Sequence, residues 1–478
     1  MRTMRRGTST SAARAARAAR ATVAVAAGLA VATVLAACTS SGLVTTPLTP
    51  ATPATMGTSV IPTGGTAGPL DGGGTPTDGT AVTTGPLDGG GNRPGGAAAT
   101  TRPVEAATPP ATEQAGLDAA LRDAAWKDDL PRARALVGRG ADVNAKDETQ
   151  QSAYLVATSE GHLGLLRLAL AHGARVDDKD SWNGTGLIRA AERGHALVVG
   201  ELLRAGIDRD HVNRIGYQAI HEAVWLGRDT TSYVDTVRVL VAGGVQLTRP
   251  SRDEGLTPLR MARERGFDRL TGVLVTATTA DRVDDPDAAL LSAARRGDAD
   301  TVSLALRAGA DVEARDAKRR TPLLLAVTGD HVDAARVLVA MGADPDALDD
   351  RHDTPWLVTG VTGSVAMLET LLPAGPDLTV RNRFGGVSLI PASERGHVDY
   401  VRRVVRTGID VNHVNDLGWT ALLEAVILGD GGERHQQIVR LLLDAGADRS
   451  IADKDGVTAL EHAREKGYAA IARILEQL

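Results

Sequence analysis

Two short polar segments in the sequence have the composition of a catalytic or metal-binding site. His221 and Glu222 could act as an acid/base pair or as metal ligands. Asp453 opens the segment Asp-Lys-Asp-Gly, which resembles the start of a calcium-binding loop. Such a loop also needs further oxygen ligands and a closing glutamate at its twelfth position, and neither is present here. We therefore interpret 453–456 as a hairpin turn.

A repeated His-x-Asn segment is another candidate for metal binding. His211 precedes Asn213 with the same spacing by which His413 precedes Asn415. Asparagine readily hydrogen-bonds the backbone of a turn, which makes a turn the favoured interpretation and a paired metal site the alternative. The sequence contains no P-loop and no G-x-S-x-G, H-E-x-x-H or C-x-x-C motif. We expect no catalytic residue, no bound metal and no cofactor.

The single cysteine, Cys38, comes directly after an apolar segment. The first twenty residues contain six arginines and no acidic residue, and residues 21–37 are rich in Ala, Val and Leu. This order is typical of a secretory signal, and the apolar run is short for a membrane-spanning helix. The sequence Leu-Ala-Ala-Cys that ends at Cys38 resembles a bacterial lipobox. We predict that 1–37 are a lipoprotein signal peptide and that Cys38 carries the lipid; an uncleaved anchor followed by a chance cysteine is the alternative.

The chain beyond the leader is acidic, and its first part is of low complexity. The whole chain has a formal net charge of −6, and removing six arginines without any acid leaves −12. Nucleic acid is not an expected partner, because binding a polyanion needs a field of Lys and Arg. Residues 38–116 are dominated by Thr, Pro, Gly and Ala. Such a composition cannot form a core, so we predict a lipid-anchored disordered linker with a reach of about 50 Å.

From residue 117 onward the sequence repeats with a constant period. Turn glycines mark this period in two series: Gly140, Gly173 and Gly206, then Gly309, Gly342, Gly375 and Gly408. The most complete copy contains Thr321-Pro322-Leu323 and ends in Gly342-Ala343-Asp344. This pattern resembles the ankyrin repeat over residues 117–478, in about 11 copies. The resemblance implies an all-α repeat fold, an ankyrin solenoid of helix-turn-helix units joined by β-hairpin loops.

The repeat pattern also has a direct physical interpretation. Threonine is suited to cap a helix, and proline fits the first helical position because no backbone N–H is needed there. Glycine permits the left-handed conformation that ends a helix. One such unit cannot bury its apolar face alone, so stability has to come from stacking. The resemblance further implies that His221 stands where the family uses histidine to bond the backbone.

The sequence also contains a longer internal duplication, which spans several repeats. Residues 181–275 recur near 383–475, so that His195 corresponds to His397, and both copies contain an insertion of five residues within one repeat. We predict block 1 at 117–280 (about five repeats) and block 2 at 287–478 (about six repeats). The interval from Gly244 to Gly309 is a single position short of two periods. We therefore expect block 2 to continue the stack of block 1, with a loose tether as the alternative.

Prolines indicate where the stack is least regular. Pro391 falls inside a predicted first helix and Pro373 in the last turn of a second helix, where proline removes a hydrogen bond. We expect the repeats at 354–410 to deviate most from the pattern.

The resemblance implies a protein-binding function through hairpin tips and the exposed face of first helices. The candidate residues at these positions are Trp182, Arg214, Tyr217, Trp225, Arg320, Arg351, Arg383, Phe384 and Trp419. Packing against adjacent hairpins is the alternative role of the aromatic residues. We expect a non-catalytic scaffold or modulator that binds an unidentified extracytoplasmic protein and is lipid-anchored on the outer side of the bacterial cytoplasmic membrane. The alternative is an undetected cell-surface enzyme or small-ligand-binding protein.

Overall fold

The computed structural model describes residues 111–280 and 282–477. In this part of the chain 22 α-helices follow one another as eleven pairs. Extended pairing in the same residues is limited to two isolated bridges, Lys179 with Thr185 and Ala452 with Thr458. The all-α repeat architecture is therefore confirmed. The predicted signal peptide, Cys38 and most of the predicted linker lie outside the described residues.

Block 1 contains five helix pairs. They are α1 (Ala111–Trp126) with α2 (Leu130–Gly138), α3 (Ala153–Glu160) with α4 (Leu163–Ala171), α5 (Gly186–Glu192) with α6 (Ala196–Arg204), α7 (Ala219–Trp225) with α8 (Thr231–Ala242), and α9 (Pro258–Glu264) with α10 (Asp268–Thr279). The prediction that the linker extends to residue 116 is wrong, because α1 begins at Ala111. The segment Ala-Thr-Glu-Gln-Ala contains good helix formers and buries Leu117 one turn later.

Block 2 contains six helix pairs. They are α11 (Pro286–Arg296) with α12 (Ala299–Arg307), α13 (Pro322–Thr328) with α14 (Val332–Ala340), α15 (Pro355–Thr362) with α16 (Val365–Leu371), α17 (Leu389–Glu394) with α18 (Val398–Val404), α19 (Ala421–Ile427) with α20 (Glu433–Asp444), and α21 (Ala459–Glu465) with α22 (Ala469–Gln477). None of the helices in the described residues combines the length and the apolarity needed to span a bilayer.

The first helices α13 and α15 begin as the sequence predicts. The hydroxyls of Thr321 and Thr354 each accept a backbone N–H bond at 3.1 Å from the third residue of the helix that follows. Pro322 and Pro355 occupy the first helical position. The cap satisfies one of the free N–H groups at the helix start, and proline removes another.

Stacking of successive pairs builds one apolar core in each block. First helices pack on first helices and second helices on second helices. The core of block 1 extends from Leu117 to Leu274 and that of block 2 from Leu290 to Leu475. Each pair covers the apolar face of the one before it, so the solenoid is stabilised by neighbour contacts.

The duplicated insertion lengthens the same parts of both copies. Helices α8 and α20 have 12 residues each, whereas α6, α12 and α14 have 9. The loops 226–230 and 428–432 are also longer than the three-residue loops between the helices of neighbouring pairs. The five extra residues thus add nearly one turn to the second helix and widen the loop before it.

The repeats at 354–410 are the irregular ones, as expected. Pro373 ends α16 early and lies in a 3-10 turn, Leu372–Ala374. Helix α17 contains Pro391 and has only six residues. A proline in the first turn loses no helical hydrogen bond, because the first four N–H groups have no partner within the helix. The helix begins at Leu389, one residue later than the position equivalent to Pro322 and Pro355, where α13 and α15 begin.

The prediction that block 2 continues the stack of block 1 is wrong. The series of packed first helices is interrupted between α9 and α11, and the chain instead folds back. Helix α12 packs against α8 and α10, and α14 packs against α6 and α8. Farther along, Arg167 of α4 donates to the carbonyl of Pro373 at 2.9 Å. The second helices of the two blocks therefore face each other, and the blocks run in opposite order.

An ion cluster crosses this contact between the blocks. Asp235 of α8 is buried and accepts from Arg336 of α14 at 2.6 Å. Arg238, one turn along α8, pairs with Asp300 of α12 at 2.7 Å. Burial raises the pKa of Asp235, and the two arginines oppose that shift. A buried carboxylate is tolerated only with such partners, so these residues fix the register of the contact.

The facing second helices also run in the same direction. Arg238, in the second half of α8, pairs with Asp300 in the first turn of α12. Arg307, at the end of α12, donates to the carbonyl of Val245, just beyond α8, at 2.9 Å. Each hairpin follows the end of a second helix. The hairpin tips of both blocks therefore lie at the same end of the helices, while the first helices lie on opposite outer sides.

Candidate functional site

The hairpin tips between successive pairs share one local design. Asp180 Oδ1 accepts the backbone N–H groups of Trp182 and Gly184, each at 2.8 Å. Asn382 Oδ1 does the same for Phe384 at 2.9 Å and Gly386 at 3.0 Å. We number the residues of each tip from this Asp or Asn, which takes the first position. Its side chain replaces the water that would solvate these N–H groups. The third tip residue is held on the outside of the turn.

Adjacent tips are joined by backbone hydrogen bonds. The N–H of Arg214 donates to the carbonyl of Trp182 at 3.1 Å, and that of Asp416 donates to the carbonyl of Phe384 at 3.0 Å. The side chains of neighbouring tips therefore project from a connected surface whose spacing is set by the helix pairs beneath.

Third tip positions carry exposed apolar side chains in both copies of the duplication. Trp182 is 59% exposed and Ile215, on the next tip, 40%. Their equivalents in the second copy, Phe384 and Leu417, are 37% and 40% exposed. We name Trp182 with Ile215 the first apolar tip pair and Phe384 with Leu417 the second. Sequence reasoning missed Ile215 and Leu417, although their third tip position would have revealed them.

Tyr217 was predicted at an exposed hairpin tip, and this is wrong. Its side chain is 3% exposed, its ring stacks on His221 with centroids 5.9 Å apart, and its hydroxyl donates to Glu254 at 2.5 Å. The residue stands at the fifth tip position, just before the cap of α7, where the chain turns back into the stack. Trp419, its equivalent, is half-buried for the same reason.

The other predicted site residues divide by exposure. Trp225 is half-buried, edge-on to Tyr217 at 6.3 Å and beneath Arg265. Arg320 donates two hydrogen bonds, of 2.9 and 2.6 Å, to the carboxylate of Asp316, which gives it a structural role. The predicted residues on the free surface are Trp182, Arg214, Arg351, Arg383 and Phe384.

Comparison with known proteins agrees with this architecture. A family model described as Ankyrin repeats (3 copies) matches residues 121–213, 260–349, 290–382, 356–453 and 389–477. The ankyrin repeat protein YahD of Escherichia coli strain K12 is 41% identical over 186 residues, which are 39% of this chain and 92% of YahD. This chain belongs to the ankyrin-repeat family.

Two solved structures are also similar to parts of this ankyrin chain. An ankyrin repeat domain from Acinetobacter baumannii AYE is 46% identical, covers 39% of this chain and 95% of its own, and has a TM-score of 0.38. A second ankyrin repeat protein is 41% identical, covers 40% of this chain and 98% of its own, and has a TM-score of 0.39.

Three histidines of this ankyrin chain, His211, His221 and His413, bond its backbone. His221 Nε2 donates to the carbonyl of Arg249 at 3.0 Å, and Nδ1 accepts from the N–H of Gln218 at 3.3 Å. Both ring nitrogens are thereby used by a neutral imidazole, and burial lowers the pKa. His211 and His413 donate to the carbonyls of Asn183 and Gly385 on the preceding tips. The structural interpretation of His221 is confirmed.

The acidic segment at 453–456 is a hairpin tip. Asp453 Oδ1 accepts the N–H groups of Asp455 at 3.0 Å and Val457 at 2.9 Å, and Oδ2 accepts from His462 at 2.8 Å. These bonds occupy the oxygens that a calcium ion would need. Among the described residues no group of three or more His, Cys, Asp and Glu is placed to hold a metal ion.

Two buried glutamates form an unexpected duplicated feature of the ankyrin stack. Asn213 Nδ2 donates to Glu222 at 2.7 Å, and Asn415 Nδ2 donates to Glu424 at 2.9 Å. Burial raises the pKa of Glu222 to about 7 and that of Glu424 to about 8. At neutral pH Glu424 is thus mainly protonated, whereas Glu222 is near the midpoint of its titration. Sequence reasoning saw Glu222 only as a partner of His221.

The surroundings of the two glutamates differ. In block 1, Arg189 pairs with Asp180 at 2.5 Å and with Glu192 at 2.7 Å, and its charge favours ionised Glu222. In block 2 the residues equivalent to Asp180 and Arg189 are Asn382 and Pro391. Block 2 therefore lacks both the carboxylate of Asp180 and the guanidinium of Arg189 that pairs with it. Burial and the negative charge of Glu394 raise the pKa of Glu424, as burial and Glu192 raise that of Glu222, but in block 2 no arginine charge opposes them.

Proposed function

We propose that this protein is a non-catalytic scaffold that docks another protein on its hairpin tips. The observation that carries this proposal is the duplicated exposure of the two apolar tip pairs. An exposed tryptophan contributes little to folding, whereas aromatic side chains are common binding anchors. The tips are held by side-chain and tip-to-tip hydrogen bonds, so little ordering is needed on binding.

Two tip pairs at one end of the molecule favour two-point attachment. Linking two binding events through one rigid protein raises the overall affinity when both engage the same partner. The partner would then carry two similar segments or be two-fold symmetric. The second helices are not available for this purpose in the folded-back part, because they pack against one another.

We further propose that the scaffold is lipid-anchored through Cys38 on the outer side of the bacterial cytoplasmic membrane, facing the cell surface or the periplasm. The support is the arginine-rich leader, the apolar run and the lipobox-like end at Cys38. Replacing Cys38 with alanine should release the protein from membranes and abolish the mass increase of an acyl group. Unchanged membrane retention and mass would contradict the anchor.

The docking proposal is tested with the full chain as bait for extracytoplasmic proteins. Trp182→Ala with Ile215→Ala, Phe384→Ala with Leu417→Ala, and the fourfold variant are compared. Each double variant should weaken capture of the same partner by at least tenfold at unchanged stability. Trp126→Ala is the matched control, because Trp126 is 50% exposed on α1 and not on a tip. Equal capture by all variants would exclude the tips as the docking surface.

The alternative of an enzyme or small-ligand site depends on the two buried glutamates. Their raised pKa values are of the kind found in active sites. Glu222 is only 1% exposed, however, and each glutamate is held by an asparagine from its own unit. A substrate would have to open the stack to reach them. The scaffold function is therefore the one that the geometry supports better.

A further inference from the structure

Three neighbouring tips of block 2 carry cationic side chains on an acidic protein. They are the tips 316–320, 349–353 and 382–386, and their exposed residues include Lys318, Arg319, Arg351, His352 and Arg383. Arg383 lies over the ring of Phe384 at 4.6 Å. The N–H of Asp350 donates to the carbonyl of Lys318 at 3.2 Å, which joins the first two of these tips.

The fourth position of two of these tips is conformationally strained. Arg319 has φ +56° and His352 has φ +60°, as the fourth tip residues Gln150 and Asn183 of block 1 also have positive φ, whereas the next two tips of block 2 have glycine at this position. A side chain with a β carbon is disfavoured in this left-handed region, and glycine is not. A long cationic and an imidazole side chain are thus kept where glycine would fold more easily.

Acidic residues within the three tips leave part of the positive charge uncompensated. Asp316 is committed to Arg320, and Asp353 lies 3.7 Å from Arg351 and 3.5 Å from Arg383. Asp349 is buried and accepts backbone N–H bonds within its own tip.

Two cations and one acid remain at the surface of these tips. The backbone N–H of Lys318 donates to Asp316, but the side chains of Lys318 and Arg319 have no carboxylate partner among the described residues. Asp350 is the exposed acid beside them. The patch is therefore positive at its 316–320 end, on a chain whose net charge is −6.

The third tip positions form an ordered row. From one tip to the next they are Lys318, Arg351, Phe384 and Leu417, that is two cations, an aromatic and an aliphatic residue. Adjacent tips follow the packing of adjacent helices, about 10 Å apart. A peptide in the polyproline II conformation advances about 3.1 Å per residue and returns to the same face every third residue, so every third residue would meet one tip. We call these four residues the third-position row.

We propose that the third-position row binds an acidic segment of a protein in the polyproline II conformation. Two carboxylates of this segment, three residues apart, lie opposite Lys318 and Arg351. Two apolar side chains, three and six residues after the second carboxylate, lie opposite Phe384 and Leu417. This proposal rests on the proposed docking function and specifies its partner. Charge complementarity sets the direction of the peptide, and the apolar pair supplies the buried contact.

The test uses the full chain and a synthetic 12-residue peptide with Asp at positions 1 and 4, Phe at 7, Leu at 10 and Ser elsewhere. Fluorescence anisotropy with a labelled peptide should show binding that weakens at least tenfold between 50 and 300 mM NaCl. A peptide of the same composition with shuffled spacing should bind at least tenfold more weakly. Equal binding of the shuffled peptide would overturn the proposal.

Three variants test which residues bind the peptide and whether the left-handed conformation of Arg319 serves binding. Lys318→Glu with Arg351→Glu should weaken peptide binding at least tenfold, and Asp350→Asn should strengthen it. Arg319→Gly should weaken binding several-fold while the melting temperature stays equal or rises. Trp126→Ala, on α1 and outside every tip, is the control and should change nothing. Unchanged binding in the double variant, or a lower melting temperature in Arg319→Gly, would overturn the proposal.

A further arm distinguishes other anions and separates this inference from the docking function. Inorganic polyphosphate and vesicles of an anionic phospholipid are offered in place of the peptide. Binding of either one without binding of the peptide would overturn the proposal. If the peptide fails while the apolar-tip variants still reduce capture of the natural partner, the docking function stands and this inference falls. If no tip variant affects capture, the docking function itself fails.

Discussion

Gly200 and Ala340 approach each other so closely that a β carbon on Gly200 would lie 2.1 Å from the carbonyl oxygen of Ala340. Gly200 belongs to α6 of block 1, and Ala340 ends α14 of block 2. In the duplicated copy the residue equivalent to Gly200 is Arg402, which is exposed, and Asp235 is replaced by Gln437. The copy that packs against the other block thus has a small residue and a buried acid that its free duplicate lacks.

Gly200→Ala should therefore destabilise the fold. The added methyl cannot be accommodated without moving the backbone of α14, and overpacking of this kind costs about 2 kcal/mol. Gly272→Ala is the matched control, because Gly272 lies in α10 with no atom near its absent β carbon and should gain about 0.5 kcal/mol from helix propensity. Urea unfolding of both variants measures this. Equal stability of the two would argue against the close contact of the blocks.

Glu424→Gln should remove a pH dependence of folding. The carboxyl has a pKa of about 8 in the folded protein against 4.5 as the ordinary value. It is protonated when folded, so its stabilising contribution is complete below pH 4.5 and is lost as the pH rises through 8. The unfolding free energy of the wild type should fall by up to ~1.4 kcal/mol per pH unit in this window on account of this group.

The glutamine variant keeps the acceptor for Asn415 and cannot ionise. Its unfolding free energy should decline less steeply between pH 4.5 and 8, and it should be the more stable protein at pH 8. Unfolding measured at half-unit pH steps tests this. An unaltered slope in the variant would mean that Glu424 ionises readily in the folded state.

Truncation of Tyr217 should lower the free energy of unfolding, whereas truncation of Trp182 should leave it nearly unchanged. Tyr217→Ala removes a buried ring and a hydrogen bond to Glu254, for a loss of about 3 kcal/mol. Trp182→Ala should change stability by less than about 0.5 kcal/mol, because its ring faces solvent. Chemical denaturation of both proteins gives the comparison. A large loss from Trp182→Ala would assign this tryptophan to hairpin packing instead of docking.

The start of α1 sets how far the chain can be shortened. A protein beginning at residue 109 should unfold like one beginning at Cys38. A protein beginning at Ala115 lacks the first turn of α1 and Gln114, whose side chain donates to the carbonyl of Gly140 at 2.9 Å. Its unfolding free energy should be lower by about 1 kcal/mol. A loss already present in the longer protein would show that the preceding segment packs on the repeats.

Local features of the fold were predictable from the sequence because each depends on residues close together in the chain. The repeat period, the cap at Thr321 and the proline after it specify a helix pair without reference to the remainder of the protein. The duplication places Asn213 and Asn415 at equivalent tips, and each bonds a glutamate in the first helix that comes after its tip. The short α17 likewise results from the position of Pro391.

Tertiary structure decided how the blocks meet and which tip side chains are free. The interval from Gly244 to Gly309 nearly keeps the repeat phase, yet the chain folds back at this junction. The contact of Gly200 with Ala340 joins residues of different blocks, and no periodic pattern encodes such surface complementarity. Whether Tyr217 points into the stack depends on Glu254 and His221, which reach it only after folding. Periodicity specifies the unit, and contacts distant in sequence specify the assembly of units.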